Sequence, residues 1–308
     1  MGRRRKGEAI SGWICLDKPR GLGSTPAVGR LRRLFNAQKA GHAGTLDPLA
    51  DGVLPIALGE ATKTIPFMTE AAKTYRFTLA WGESTTTLDA EGETVATSDV
   101  RPTAEAVAAA LGAFVGEVWQ TPPAFSALKI NGARAYDLAR EGQDVELAPR
   151  QVRIDALAVV AAPDPDHITL EMDCGKGVYV RAVARDLAAA LGAEGHVCAL
   201  RRTRVGPFRA SNGITLETLD ALCHRDALLE ALLPVETALD DIPALAVTDE
   251  DAFRLMQGRQ VVLLPRQAEP LMGRLPASRI VSAHSRGRLV ALCEARAGAL
   301  TPTRVFHL

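Results

Sequence analysis

Apolar positions fall into short runs divided by glycine- and proline-rich polar turns, and the spacing within the runs alternates between that of strands and that of helices. Ile10 to Leu16 predicts a strand, broken by Asp17 to Arg20 and by Gly21 and Gly23. Ser24 or Thr25 then caps a predicted helix, with Pro26 in its first turn and Val28, Leu31 and Leu34 leading to about Phe35. Tyr75 to Trp81 alternates as a strand, Glu83 to Glu93 is a polar turn region holding Asp89, and Thr103 to Leu111 is a capped, alanine-rich helix. Val152 to Ala162 and His167 to Cys174 predict paired strands around a turn at Pro163 to Asp166. A helix through Leu187 to Leu191 follows, with Gly192 placed to end it. Val197 to Leu200 is strand-like and runs into Arg201, Arg202 and Arg204, with helical segments after it in Leu216 to Leu232.

Two stretches fit neither period. Gly41 to Lys63, GHAGTLDPLADGVLPIALGEATK, holds four glycines, two prolines and the carboxylates Asp47 and Asp51, and predicts an irregular loop. Pro48 biases Asp47 toward extended backbone, so this carboxylate is expected on a shaped loop open to solvent. Thr121 to Arg150, with Pro122, Pro123, Lys129, Arg134, Tyr136 and Arg140, reads as a surface insertion with a short helical stretch near Ala133 to Arg140. Its basic and aromatic residues suit nucleic acid, and a plain surface loop would look the same. Pro234 to Pro243 reads as a linker, and Ala244 to Leu308 as a small β-rich unit.

With 47% apolar and 23% charged residues, the 308-residue chain can bury a core and form about two domains. No apolar run approaches a membrane span, and the basic start lacks the apolar segment of a secretory signal, so the cytoplasm is the expected compartment. Five scattered cysteines and six histidines without ligand spacing predict no disulfide framework and no metal site. Cys15 and Cys174 are expected in the core. Net charge is zero but segregated. Residues 1 to 40 carry ten Lys and Arg against Glu8 and Asp17, whereas Glu217 to Asp251 carries ten carboxylates against Arg225. Such segregation fits an anionic partner, with Arg30, Arg32, Arg33 and Lys39 the better lead than the tail at Arg3 to Lys6.

The string His42, Ala43, Gly44, Thr45, Leu46, Asp47, Pro48, Leu49, Ala50, then Gly52, Val53, Leu54, Pro55, closely resembles the signature loop of the tRNA pseudouridine synthase B (TruB) family. Tyr75, Arg76, Phe77 resembles the family's second motif, Gly177 to Arg181 its third, and Leu200, Arg201, Arg202 a further basic element, all in the family's order. Asp51 departs from the small residue common there. The resemblance implies an α+β fold: a pseudouridine synthase catalytic domain over residues 10–243 with a mixed, mainly antiparallel sheet flanked by helices and loops. A basic, flexible N-terminus at 1–9 precedes it. The 121–150 insertion resembles a thumb-like element, and residues 244–308 resemble a small PUA domain.

The activity so implied converts uridine-55 of the tRNA T-loop to pseudouridine. The N1 to C1′ bond breaks, the base turns, and C5 rejoins C1′, with no redox change and no cofactor. The nucleotide must be flipped out of the RNA to react. By resemblance, Asp47 is the essential aspartate, acting as nucleophile at C1′ or as base at C2′. Arg181 would pair with Asp47 and orient it through a charge-assisted bond. Tyr75 would stack on the base and supply a hydroxyl for the C5 proton, and Tyr179 and Leu200 would line the pocket. His42 would fill space vacated in the RNA, and Lys18, Lys63 and Arg202 are candidates for phosphate or substrate contact. The thumb-like insertion favours a self-sufficient enzyme, acting on tRNA without guide RNA or protein partner, over the guide-RNA-dependent, dyskerin-like branch, and a monomer is expected.

Taken without the resemblance, each of these residues has a structural reading: Tyr75 and Leu200 as core, Arg181 as a solvated charge at a helix start. Two other functions compete. A tRNA-binding module without catalysis needs the basic surface but not Asp47. A glycosidase or metal nuclease would use Asp47 and Asp51 as a pair, but Pro48 breaks the helix that would align them and no further ligand cluster completes a metal site.

Overall fold

The computed structural model describes residues 7–126, 128–130, 133–135, 138, 141–143, 145–222, 224–263, 279–296 and 298–308. The first half runs β1 (Gly12–Lys18), α1 (Ser24–Leu34), β2 (Ala40–His42), β3 (Asp51–Leu58), α2 (Ile65–Glu70), β4 (Lys73–Trp81), β5 (Glu83–Thr85), β6 (Thr94–Thr97), α3 (Ala104–Ala110) and β7 (Gly116–Gln120). Two short strands, β8 (Lys129–Ile130) and β9 (Ala133–Arg134), lie in the insertion. Then come β10 (Arg150–Asp164), β11 (His167–Cys174), α4 (Val180–Ala190), β12 (Gly195–Val205), β13 (Phe208–Arg209), α5 (Leu216–Ala221) and α6 (Arg225–Glu230). The last unit holds β14 (Ala244–Ala246), α7 (Asp249–Met256), β15 (Val261–Val262), β16 (Ile280–Ser285), β17 (Arg288–Arg296) and β18 (Ala299–Val305).

The main sheet is ordered β1-β3-β12-β4-β11-β10-β7, with β2 on β3 and β13 on β12. Every pairing is antiparallel except β3 with β12, where Asp51 and Gly52 lie opposite Arg201 and Arg202. The second sheet, β14-β16-β17-β18-β15, belongs to the C-terminal unit and is parallel only at β14–β16. The molecule is therefore α+β with a mixed, mainly antiparallel sheet and a β-rich C-terminal unit, as the motifs implied. No helix among the described residues is long and apolar enough to cross a membrane.

The burial of each strand explains how it reads in the sequence. β4 and β11 bury alternate residues, because helices cover one face only and the other meets solvent. β1 and β3 are covered on both faces. Ile14, Leu16, Leu54, Ile56 and Leu58 pack toward the helices α1 and α4, while Trp13, Cys15, Val53 and Ala57 pack against Val235, Leu239 and Phe306 on the other side. The run 51–58 is thus a central strand rather than part of an irregular loop, and only 43–50 stays irregular. A strand buried on both faces loses the alternation by which strands are recognised.

Three further expectations change. Gly23, not Ser24 or Thr25, is the N-cap of α1, and no side chain caps it. The Pro234–Pro243 segment is not a free linker: Val235, Ala238 and Leu239 are buried in a 3-10 turn. Arg30 and Arg32 are engaged locally, Arg30 with Asp220 and Arg32 with the Ala37 carbonyl. The Thr103 cap of α3 and the left-handed Gly192 after α4 are as read, and Cys15 and Cys174 are buried, their thiols pushed up by desolvation. Tyr136, Arg140 and the tail at 3–6 lie outside the described residues.

Candidate active site

Residues 43–50 carry no regular structure, so their shape must come from bonds to neighbours. Gly44 takes a left-handed φ of 88° that a side chain would resist. Ser24, freed from capping duty, donates to Leu46 O at 2.8 Å and accepts from Leu46 N at 2.9 Å. Arg202, 1% exposed, spends its guanidinium on carbonyls: Nε on Val53 at 2.7 Å, Nη1 on Thr45 and Nη2 on Gly44, both at 3.2 Å. Gly21 N donates to Pro48 O at 2.7 Å. These contacts hold Asp47 at the loop's crest, its side chain about a third exposed at 36%.

Arg181 enters from the first turn of α4. Its Nη2 meets Asp47 Oδ2 at 2.8 Å and donates to Phe125 O at 2.9 Å, while Nη1 meets Asp89 Oδ2 at 3.3 Å and donates to Thr87 O at 2.8 Å. Asp89 is itself fixed by Thr87 Oγ1 at 2.6 Å and the Glu91 amide at 3.1 Å, on a turn in which Leu88 adopts a left-handed φ of 63°. A leucine in that region is strained, and here the turn it makes leaves Asp89 buried against the arginine.

Asp47, Tyr75, Tyr179, Arg181, Leu200 and Arg202 line one cavity of about 510 Å³. Tyr75 rises from β4, opposite Arg202 in the register, and burial pushes its phenol up, so it stands as a neutral hydroxyl near neutral pH. Arg150 lies over the Tyr179 ring, 5.0 Å from its centre. Lys18, His42 and Lys63 do not line the cavity. Lys18 is fully buried, donates to Pro19 O and Leu22 O, and is pushed down to about 8 chiefly by desolvation. His42 is half-buried on β2, its imidazole lowered by burial and then by Arg202. Lys63 pairs with Glu60 and donates to Val305 O at 2.7 Å, tying the first unit to the last strand.

Asp51 is engaged elsewhere: with Asp17 it flanks Arg201, at 2.6 Å for Asp51 and 2.8 Å for Asp17. The paired-carboxylate reading loses its second member to this ion pair. Several wall residues escaped the sequence reading. Lys73, two residues before Tyr75 on the same face of β4, donates to Thr69 O and Ala71 O and is lowered to about 8 by burial. Arg150, a second wall residue, and Gln120, behind the wall on the Tyr179 backbone, stand at the two roots of the insertion, where no motif marks them.

Comparison with known proteins follows the same outline. Residues 32–180 match the model described as TruB family pseudouridylate synthase (N terminal domain), and residues 181–240 match the tRNA pseudouridylate synthase B C-terminal domain. The join falls inside α4 at Arg181, and the second stretch contributes β12 to the middle of the first one's sheet. A tRNA pseudouridine synthase B of Caulobacter sp. (strain K31) is 69% identical, with 100% of both chains covered. One from Bradyrhizobium diazoefficiens is 56% identical over 99% of this chain and 88% of its own. Among solved structures, a chain of a Cbf5-Nop10-Gar1 complex superposes with a TM-score of 0.73 at 24% identity, covering 96% of this chain and 85% of that one. A chain of an H/ACA RNP bound to a substrate RNA containing 2'-deoxyuridine gives 0.73 at 22% identity, covering 100% and 92%. At these identities the two structures speak for the fold.

Proposed function

The chain belongs to the TruB family of pseudouridylate synthases, and from that premise we propose that it isomerises uridine-55 in the T-loop of tRNA to pseudouridine at the cavity around Asp47. The observation that carries this reading is the Asp47–Arg181 contact of 2.8 Å at a cavity whose other walls are Tyr75, Tyr179 and Leu200. One carboxylate held by a buried guanidinium, beside aromatic and aliphatic surface, suits a flipped uridine whose ribose meets the acid and whose base meets the rings. Asp47 opens the N1–C1′ bond, by attack at C1′ or by removing the C2′ proton; both routes use the same placement. The base turns against Tyr75 and Leu200, C5 bonds to C1′ as the bond to Asp47 breaks or the C2′ proton returns, and the C5 proton leaves by way of the Tyr75 hydroxyl while N1 takes one up. Electrons balance within the nucleotide, so the isomerisation calls for no redox partner.

Arg202 acts in this reading by holding the loop carbonyls rather than by touching phosphate, and Lys63 by docking the C-terminal strand. The catalytic domain spans 10–243 with a thumb-like RNA contact at 121–150, and 244–308 is a PUA-like RNA-binding unit. The enzyme works in the cytoplasm as a monomer, without guide RNA or protein partner, a reading supported by bacterial relatives that align with it from end to end. The test is pseudouridine formation on an unmodified tRNA transcript by wild type and Asp47→Asn. Wild type is expected to turn over and the variant to lose activity, with tRNA binding kept within about tenfold, or about 1.4 kcal/mol. Equal turnover by both proteins would remove Asp47 from the chemistry.

A further inference from the structure

β7 ends at Gln120, where the 121–150 insertion leaves the main sheet. Its backbone pairs with Arg150 at the other root of the insertion, but its side chain points inward and is 3% exposed. Both ends of the side-chain amide bond to a single residue. Gln120 Nε2 donates to Tyr179 O at 3.1 Å, and Gln120 Oε1 accepts from Tyr179 N at 2.8 Å. A buried glutamine needs only some partner for each end. Here both partners lie on Tyr179, the extended N-cap of α4, which has no side-chain cap of its own.

Tyr179 lies two residues before Arg181, and both line the cavity. The backbone that Gln120 grips therefore fixes where the Tyr179 ring and the Arg181 guanidinium start. The next insertion residues reinforce the grip. Thr121 O accepts from Arg185 Nη2 at 3.0 Å, one helical turn beyond Arg181, and Phe125 O accepts from the same Arg181 nitrogen that holds Asp47. We propose that Gln120 is a positioning residue for pseudouridine formation: its side chain locks the Tyr179 backbone so that Tyr179 and Arg181 meet the flipped nucleotide and Asp47 in register. The inference rests on the roles given above to Tyr179, Arg181 and Asp47.

Two variants test it. Gln120→Met keeps the length and removes both hydrogen bonds. Gln120→Glu keeps the acceptor, but an ionised carboxylate faces the Tyr179 carbonyl oxygen, whereas the protonated acid regains a donor. Burial raises the pKa of such an acid into reach of ordinary assay conditions. Steady-state pseudouridine formation on a tRNA transcript is measured for both, with thermal unfolding recorded and Asp47→Asn run alongside. For Gln120→Met, kcat is expected to fall on the order of tenfold to a hundredfold while KM stays within about twofold, since misplacement of reacting groups costs rate rather than binding. For Gln120→Glu, the kcat ratio to wild type is expected to rise severalfold as pH falls from about 8 to about 6, a recovery that general loss of folding does not produce. A Met variant with kcat within about twofold of wild type, or a Glu ratio flat across that range, overturns the inference. Full activity in Asp47→Asn would instead overturn the reading beneath it.

Discussion

Arg181 serves four acceptors at once, the carboxylates of Asp47 and Asp89 and the carbonyls of Thr87 and Phe125, and it is 5% exposed. A planar fork can span them, but a lysine's point charge cannot. Arg181→Lys is expected to fold but to lose at least about a hundredfold in single-turnover rate, because the misplaced Asp47 no longer meets the ribose in line. Arg181→Met removes the cation from a buried carboxylate and should cost roughly 3–5 kcal/mol in denaturant unfolding. A loss of less than about 1 kcal/mol would mean that Asp89 draws its support from Thr87 and Glu91 alone. The residue types at the site were readable from motifs, but Asp89 was not readable as a partner. In sequence it sits in an ordinary polar turn, and only the left-handed Leu88 and the packing of β12 beside it bring it to Arg181.

At the level of elements, the cavity around Asp47 depends on the one parallel seam of the main sheet. β3 follows directly from the Asp47 loop, β12 carries Leu200 and Arg202, and their backbones pair at Asp51–Arg201 and Gly52–Arg202. Gly52 makes this possible: φ is 100°, and a Cβ there would stand 2.3 Å from Arg202 O. Gly52→Ala is therefore expected to destabilise by about 3 kcal/mol or more, from backbone strain added to a clash that drives the strands apart. Chemical denaturation measures the loss, and a change under about 1 kcal/mol would show that the seam yields easily. The glycine was visible in sequence as a turn former. Its use as a spacer between two strands was not, because nothing local to residue 52 announces residue 202.

At the scale of the molecule, the C-terminal unit is packed onto the catalytic sheet instead of hanging from a linker. Phe306, 2% exposed, joins Leu289 and Leu292 in the cluster that covers the outer face of β1 and β3, with Lys63 5.6 Å from its ring centre and the His307 amide on Glu60. Phe306→Ala should cost roughly 3 kcal/mol or more, and amides of β18 and of residues 59–64 should lose exchange protection together. Loss confined to β18 would mean that the two units are stabilised separately.

The sequence by itself picked out Asp47, Tyr75, Tyr179, Arg181 and Leu200, which line one cavity, the strands that alternate, and the helices with clear ends, because those signals are local or are carried in motifs. Tertiary structure alone decided that 51–58 is a central strand and that Asp51 belongs to Arg201. It also turned Arg202 and Lys63 into structural ties and set Gln120 against Tyr179. The physical reason is common to all of these. A polar group's role depends on which donor or acceptor lies within about 3 Å of it, and in this fold those partners come from residues far away in the chain.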